Sequence, residues 1–369
     1  MKDIPLLNLT RIHESMRREL DEAIDRVLRK SSFILGEEVE AFEREFASWV
    51  GKKFAVGVGN GTDAITLSLL ALGIGAGDEV ATTSLSAFPT AEAILRAGAR
   101  PVYVDIDPAT FNIDPEKIER AITPKTKAIV PVHLYGLAAD MGRITQIARS
   151  RNIPILEDCA QAHGGTFQGK KVGTFGAASA FSFFPSKNLG AMGDGGAVVT
   201  DDEAIAKRVR ALRAHGEEGG RFSHKYVGAN SRLDGLQAAI LRVKLAHLDE
   251  HNRERRAIAS FYREHLDGAS VILPSPPPGY PAEHVYHLYV VRVKDASQRE
   301  GFRAFLEERG VKTNVHYPIP LHKQPAYPVS ASLPNVERVV GEIVSIPLFP
   351  TMEKKEMEYV RDVILSWRR

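Results

Sequence analysis

The sequence predicts an α/β protein in two parts. Residues 1–249 form a large domain with a mostly parallel mixed sheet flanked by helices, and residues 250–369 form a smaller α+β domain. Three observations carry this expectation. Between residues 54 and 151, short apolar runs alternate with segments of helical periodicity, as β-then-α units do. A long polar helix pattern, "SRLDGLQAAILRVKLAHLDEHNRERRAIASFYREHL", then carries the chain away from that region. At 369 residues the chain is also long for a single core.

Taken in order, Met16, Leu20, Ala23 and Val27 follow steps of four, three and four, which predicts a helix. "GEEVEAFEREFASWVG" predicts a second, with "SSFILG" as the break between them. "KFAVGVGN" reads as a short buried strand, "GTD" as a turn, and the next helix lines up Ile65, Leu69 and Leu72. "DEVATTS" then precedes "PTAEAILRAG", "RPVYVDI" precedes "DPEKIERAI", and "KAIVPVHLYG" precedes "DMGRITQIARSR". "IPILEDCA" runs into a loop, "ASAFSFF" and "GGAVVT" are further strands, and "DEAIAKRVRALRAHG" is a helix. "PSPPPGYPAEH" is a proline-rich surface excursion with no folded element. The tail gives a strand, "HLYVVRV", a helix, "REGFRAFLEERG", a His/Pro-rich loop and a last helix from about Lys354.

Composition narrows the function. With 48 basic and 46 acidic residues spread along the chain, no field favours nucleic acid or an anionic membrane. A local pocket can still be positive, so a small anionic ligand stays open. The single cysteine, Cys159, cannot form an internal disulfide, which favours a reducing compartment. The start has no signal-peptide run, and no segment approaches the ~20 apolar residues needed to cross a bilayer. These features point to the cytoplasm.

Three stretches could carry chemistry. In "VGNGTDAI", a strand runs through Asn60-Gly61-Thr62-Asp63 into a helix, where free N–H groups and the helix dipole favour an anion. Thr and Asp also make ordinary helix caps, so a plain capped helix is the other reading. In "PILEDCAQAHGG", Glu157 and Asp158 end an apolar strand where α/β proteins hold ligands, and a buried carboxylate needs a cation or donors. A surface loop would explain it equally. In "AFSFFPSKNLGAMGDGG", Lys187 sits between aromatic and glycine-rich runs. It either points to water from a turn or is kept partly desolvated so that its amine can add to a carbonyl. An anion site, a strand-end acid and a later Ser182…Lys187 pair together form the set that pyridoxal 5′-phosphate (PLP) requires.

Here the chain closely resembles the sugar aminotransferase family (DegT/StrS type) of fold-type-I PLP enzymes, which act on keto sugars, usually nucleotide-linked. The likeness runs through "SFILGEEVEAFEREFASWVG", "GNGTDAI", "VDIDPATFNIDPEKIERAI", "VPVHLYG", "EDCAQAHGG", "FSFFPSKNLGAMGDGGAVVT", "NSRLDGLQAAILRVKL" and "VHYPIPLH". It implies that Lys187 is the covalent anchor of PLP and that Asp158 faces the pyridine nitrogen. It implies that Ala160 packs on one ring face, that Gln161 bonds the ring hydroxyl, and that Gly61, Thr62 and Ser182 hold the phosphate. Asn230, in "NSRLD", would reach a phosphate across a dimer interface, making a homodimer with shared sites. Many relatives put an aromatic residue on the second ring face. Aligning on "TAEAI" places Ala87 there, with Phe88 one residue later and not expected to stack. His163 and His322 are the histidines expected to line a substrate pocket, and Cys159 is expected to be a buried structural thiol.

The resemblance implies a transamination in two halves, with glutamate as the expected amino donor and Lys187 moving protons. The run "EDCAQAHG" is more like relatives acting at C3 of a dTDP-linked 3-keto-6-deoxyhexose, and an inosose is an alternative acceptor. A dehydratase branch has histidine at the lysine position, so Lys187 counts against it. The remaining rival is a non-catalytic regulator that binds PLP or a sugar nucleotide.

Overall fold

The computed structural model describes residues 3–220 and 222–367. One block of strands runs in the order Phe54–Val58, Gly196–Thr200, Ala178–Ser182, Leu156–Asp158. A second block runs Arg100–Val104, Glu79–Thr83, Thr126–Val130. Parallel bridges from Ile129 to Ile155 and from Val132 to Asp158 join the two into one sheet. Among these strands only Gly196–Thr200 runs antiparallel to its neighbours. The sheet is therefore mixed and mostly parallel, buried on both faces as such sheets must be.

Side-chain alternation feeds two apolar layers. Ala197 and Val199 join one core with Phe42, Phe46 and Phe183, while Val198 joins the other with Ile65, Leu69 and Leu156. Burying one such aromatic contributes roughly 1.5–3 kcal/mol. The helical segment before the sheet is three helices, Leu9–Glu14, Arg17–Lys30 and Glu37–Val50.

The smaller domain packs three antiparallel strands, Val271–Ile272, Tyr289–Val293 and Ile343–Ile346, against helices Arg299–Glu308 and Lys354–Ser366. The boundary expected at 249/250 falls inside one helix, Gly235–His265. Its first half, with Leu241 and Leu248, packs in the large domain, and its second half, with Ile258 and Tyr262, packs in the small one. Ile4 also packs in the small domain, held by a parallel bridge to Val311. The proline-rich excursion is not free of structure. Ala282–Glu283 pairs with Thr166–Phe167, and the Tyr280 hydroxyl donates to the Ala138 carbonyl at 3.0 Å.

Candidate active site

A cavity of about 210 Å³ opens at the carboxyl ends of the sheet strands. Gly61, Thr62, Asp158, Ala160, Gln161, Ser182 and Lys187 all line it. Seven residues spread over 127 positions of sequence thus meet at one place.

The anion end is built by the helix Gly61–Ala71. Asn60 caps it, accepting from the Asp63 N–H at 2.8 Å, a cap worth about 1 kcal/mol. Among the described residues, no hydrogen bond engages the N–H groups of Gly61 and Thr62. They remain at the positive end of the helix dipole, where a dianion is favoured. Glycine is required by the close approach of the neighbouring strand. A Cβ on Gly61 would lie 2.6 Å from Ser182 Cβ. That contact sets the Ser182 hydroxyl beside the helix start.

The two carboxylates of "ED" part company because adjacent residues of a strand face opposite ways. Glu157 is fully buried and accepts from the N–H groups of Gly173, Phe175 and Gly176 at 2.7–2.8 Å, and pairs with His133 at 3.1 Å. Burial pushes its pKa up, but the His133 and backbone hydrogen bonds outweigh burial and hold it below the ordinary value. Its work is structural. His133, Glu157 and Cys159 lie close enough to suggest a metal site. However, His133 Nδ1 accepts from the Ala139 N–H at 3.0 Å, which leaves Nε2–H to donate to Glu157. Cys159 is a buried free thiol packed in the apolar layer on the same face of the sheet.

Asp158 faces the cavity. One oxygen accepts from the Thr90 hydroxyl at 2.9 Å and the other from the Ala160 N–H at 3.1 Å. Burial raises its pKa, against the pull of those donors and of the Lys187 charge. A cation brought into the cavity would keep it ionised.

Lys187 is set by a tight turn. Its N–H donates to the Phe184 carbonyl at 2.8 Å, and Gly190 presses against the Pro185 carbonyl, where a Cβ would sit 2.3 Å away. The Lys187 side chain reaches solvent only in part, yet is packed round closely by protein. That desolvation lowers its pKa to about 8, with the Asp158 charge opposing. Among the described residues, its amine has no hydrogen bond or ion pair. An amine in this state is partly neutral near pH 7 and free to act as nucleophile or base.

Gln161 is fixed at both ends. Its Oε1 accepts from the Tyr135 N–H at 2.7 Å, so its Nε2 donates to the Tyr317 hydroxyl at 2.9 Å. The Tyr317 proton is then free for another acceptor. Ala87 lines the cavity with Ser86, Pro89 and Thr90, whereas Phe88 packs into a separate core cluster.

Three expected residues stand elsewhere. Asn230 lies on the exposed surface, outside the cavity. His163 is fully buried beside Phe181 and Phe183, and burial followed by the Lys187 charge lowers its pKa to about 3. His322 is 1% exposed and meets Glu337 at 3.2 Å. Neither histidine lines this cavity, because both loop histidines are drawn into core packing. Thr90 and Tyr317 are the polar residues that sequence reasoning missed, and only their place in "AFPTAEAI" and "VHYPIPLH" hinted at them.

The arrangement fits PLP: unpaired N–H groups for phosphate, a buried carboxylate that forms no ion pair among the described residues, and a desolvated amine lining the same cavity. When bound, that cofactor supplies an electron sink for bond breaking next to an amine. Comparisons with known proteins agree. A "pleiotropic regulatory protein" of Geobacillus stearothermophilus is 44% identical over 100% of this chain and 99% of its own length. A dTDP-3-amino-3,6-dideoxy-alpha-D-galactopyranose transaminase of Aneurinibacillus thermoaerophilus is 47% identical, covering 98% of each. The crystal structure of Streptomyces venezuelae DesV in complex with a ketimine intermediate superposes with a TM-score of 0.95, at 42% identity, covering 100% of this chain and 99% of that one. The family model for the DegT/DnrJ/EryC1/StrS aminotransferases matches residues 14–365, and the chain belongs to that family, with pyridoxal phosphate as its cofactor.

Proposed function

We propose that this protein transfers an amino group from glutamate to the keto carbon of a nucleotide-linked sugar, a dTDP-linked 3-keto-6-deoxyhexose being the acceptor that best fits its relatives. The observation that carries the reading is the convergence of Lys187, Asp158 and the open helix start at Gly61 on one cavity. Lys187 holds or moves a proton at its Nζ, which desolvation keeps partly neutral. Asp158 holds a cationic ring nitrogen. Gly61, Thr62 and Ser182 bind phosphate, Ala160 packs on a ring face, and Gln161 donates to a ring oxygen. The test incubates purified protein with glutamate and a panel of nucleotide-linked keto sugars and reads the amino-sugar products by mass. No product from any 3-keto sugar defeats the acceptor assignment.

The regulator reading is favoured by the Geobacillus relative, which is described as a pleiotropic regulatory protein. Product formation at a steady rate would set it aside for this chain.

The reading includes a homodimer in which Asn230 completes the partner's phosphate cup. Its support is the exposed position of Asn230 and exposed apolar surface, Phe184 at the cavity being 53% and Met192 39% exposed. Mixing inactive Lys187→Ala with an inactive Asn230 variant should restore some activity in exchanged dimers. No recovery after verified exchange removes the shared site. A cytoplasmic location is part of the reading and is supported by the single buried, unpaired thiol. No helix among the described residues is long and apolar enough to cross a membrane.

A further inference from the structure

A second cavity, of about 340 Å³, lies on the other side of Lys187, between the two domains. Leu6, Leu7, Leu288 and Leu348 supply apolar wall, and Arg255, His287 and His316 supply polar groups. Lys187 and Phe184 are shared with the cavity already described.

Arg255 is the unusual member. It sits on the domain-crossing helix and is 3% exposed. Its Nη1 donates to the carbonyl oxygens of Tyr286, His287 and Leu348 at 3.0–3.4 Å, and its Nε has no partner. Among the described residues, no carboxylate forms an ion pair with it. Burial lowers its pKa to about 10, so it stays charged at neutral pH. A buried guanidinium without an anion is costly unless one arrives with the ligand.

His287 is also fixed. Asn188 Nδ2 donates to Asn252 Oδ1 at 2.9 Å and to the Val285 carbonyl at 3.0 Å. Asn188 Oδ1 must therefore accept, and His287 Nδ1, 3.2 Å away, carries the proton. Burial, followed by the Lys187 and Arg255 charges, keeps this imidazole neutral. Its Nε2 is left as an acceptor.

We infer that this cavity receives the amino donor, an α-amino acid, with its carboxylate on the Arg255 guanidinium and its amine toward His287 and Lys187. This rests on the aminotransferase reading. A planar guanidinium suits a carboxylate or a phosphate. The leucine wall suits the aliphatic part of an amino acid and offers nothing to a nucleotide. The amine of an amino acid lies one carbon from its carboxylate, so an anchor beside Lys187 brings that amine to the reacting end of the cofactor. Arg255 acts here as a binding residue.

The experiment uses holoenzyme of the wild type, Arg255→Lys, Arg255→Gln and Leu6→Glu. The last sets a competing carboxylate at the cavity wall and leaves the carbonyl contacts of Arg255 intact. Calorimetry measures binding of glutarate, an unreactive dicarboxylate, and of dTDP and inorganic phosphate. Loss of visible absorption reports the half-reaction with glutamate, and amino-sugar formation by enzyme loaded with the amine form of the cofactor reports the other half. Arg255→Gln should weaken glutarate binding and raise the glutamate KM by about 30-fold or more, the lower end of the range for removing one partner of a buried charge pair. Arg255→Lys should retain part of the affinity. Leu6→Glu should weaken glutarate about tenfold, by like-charge repulsion in a poorly screened site. Binding of dTDP and the sugar half-reaction should stay within about twofold of wild type. Unchanged glutarate binding in folded Arg255→Gln overturns the assignment, as does unchanged binding in Leu6→Glu if Arg255→Gln fails to fold. Loss of dTDP or phosphate binding in place of glutarate assigns the cavity to the nucleotide instead. A wild type aminated by no amino acid defeats the aminotransferase reading itself, which normal amination of Arg255→Gln does not.

Discussion

Gly61→Ala separates two physical arguments that predict opposite signs. Helix propensity alone favours alanine over glycine by up to about 1 kcal/mol, and the backbone at Gly61 is not in the left-handed region. Packing opposes it. The new Cβ would meet Ser182 Cβ at 2.6 Å, Oγ at 3.0 Å and Cα at 3.2 Å. Comfortable carbon contacts begin near about 3.5 Å, so the helix start or the strand end must yield by roughly 0.9 Å. Ser182 Cα and Cβ belong to the strand and cannot swing away. Overpacking of this kind costs about 1–3 kcal/mol, leaving a net loss of up to about 2 kcal/mol after the propensity gain. Melting of the apo protein should fall by up to about 3 °C. Displacing the helix start should also lose at least one charge-assisted bond to phosphate, or about 10- to 100-fold in PLP affinity. Adding Ser182→Gly removes the clash and the hydroxyl together, so stability should recover while affinity does not. An apo Gly61→Ala that melts at or above wild type and binds PLP within about twofold would refute the cradle.

Three further expectations follow from the same geometry. Asp158→Asn should still bind PLP but lose transamination about 100-fold or more, and the Lys187 pKa should drop below its value of about 8 because the supporting charge is gone; near-normal turnover would move the ring-facing role to another group. Glu157→Gln should leave a buried N–H of the 173–176 loop unsatisfied and destabilise the fold by about 1–3 kcal/mol with little change in kcat. Because the folded Glu157 pKa is depressed, its contribution is present above the unfolded value and lost as pH falls through the folded one, so wild type and variant should draw together in stability as the pH is lowered through that transition; a gap that stays constant on acidification, measured by denaturant titration, contradicts the assignment. Attachment of PLP to apo protein should accelerate with pH and level off near 8, whereas an ordinary lysine would continue to about 10.4.

The features legible in the sequence are local ones. Asn60 and Gly61 mark a capped helix start, Gly190 marks a turn after Lys187, and alternating patterns mark the strands; each depends on neighbours within a few residues. What escaped depends on distant chain. Whether Glu157 or Asp158 faces the cavity is decided by which helix layer covers each sheet face. The partner of Asp158, Thr90, comes from 68 positions away, and that of Gln161, Tyr317, from 156. The helix Pro334–Glu342 and strand Ile343–Ile346 went unread because "PNVERVVGEIVSIP" is a short apolar run with no break between its two periods. The burial of His163 and His322 went unread for a related reason: a histidine in a loop motif gives no sign of whether packing will bury it. The helix Gly235–His265 hid the domain boundary, since its periodicity is continuous while its packing partners change.

The account rests on Lys187. Reducing the holoenzyme with borohydride fixes the cofactor on the amine that holds it, and digestion followed by mass spectrometry locates the label. The structure predicts a yellow protein, one labelled peptide containing Lys187, and a Lys187→Ala variant that binds cofactor without fixing it. Label on another lysine such as Lys171, or a fixed label in Lys187→Ala, would contradict the account.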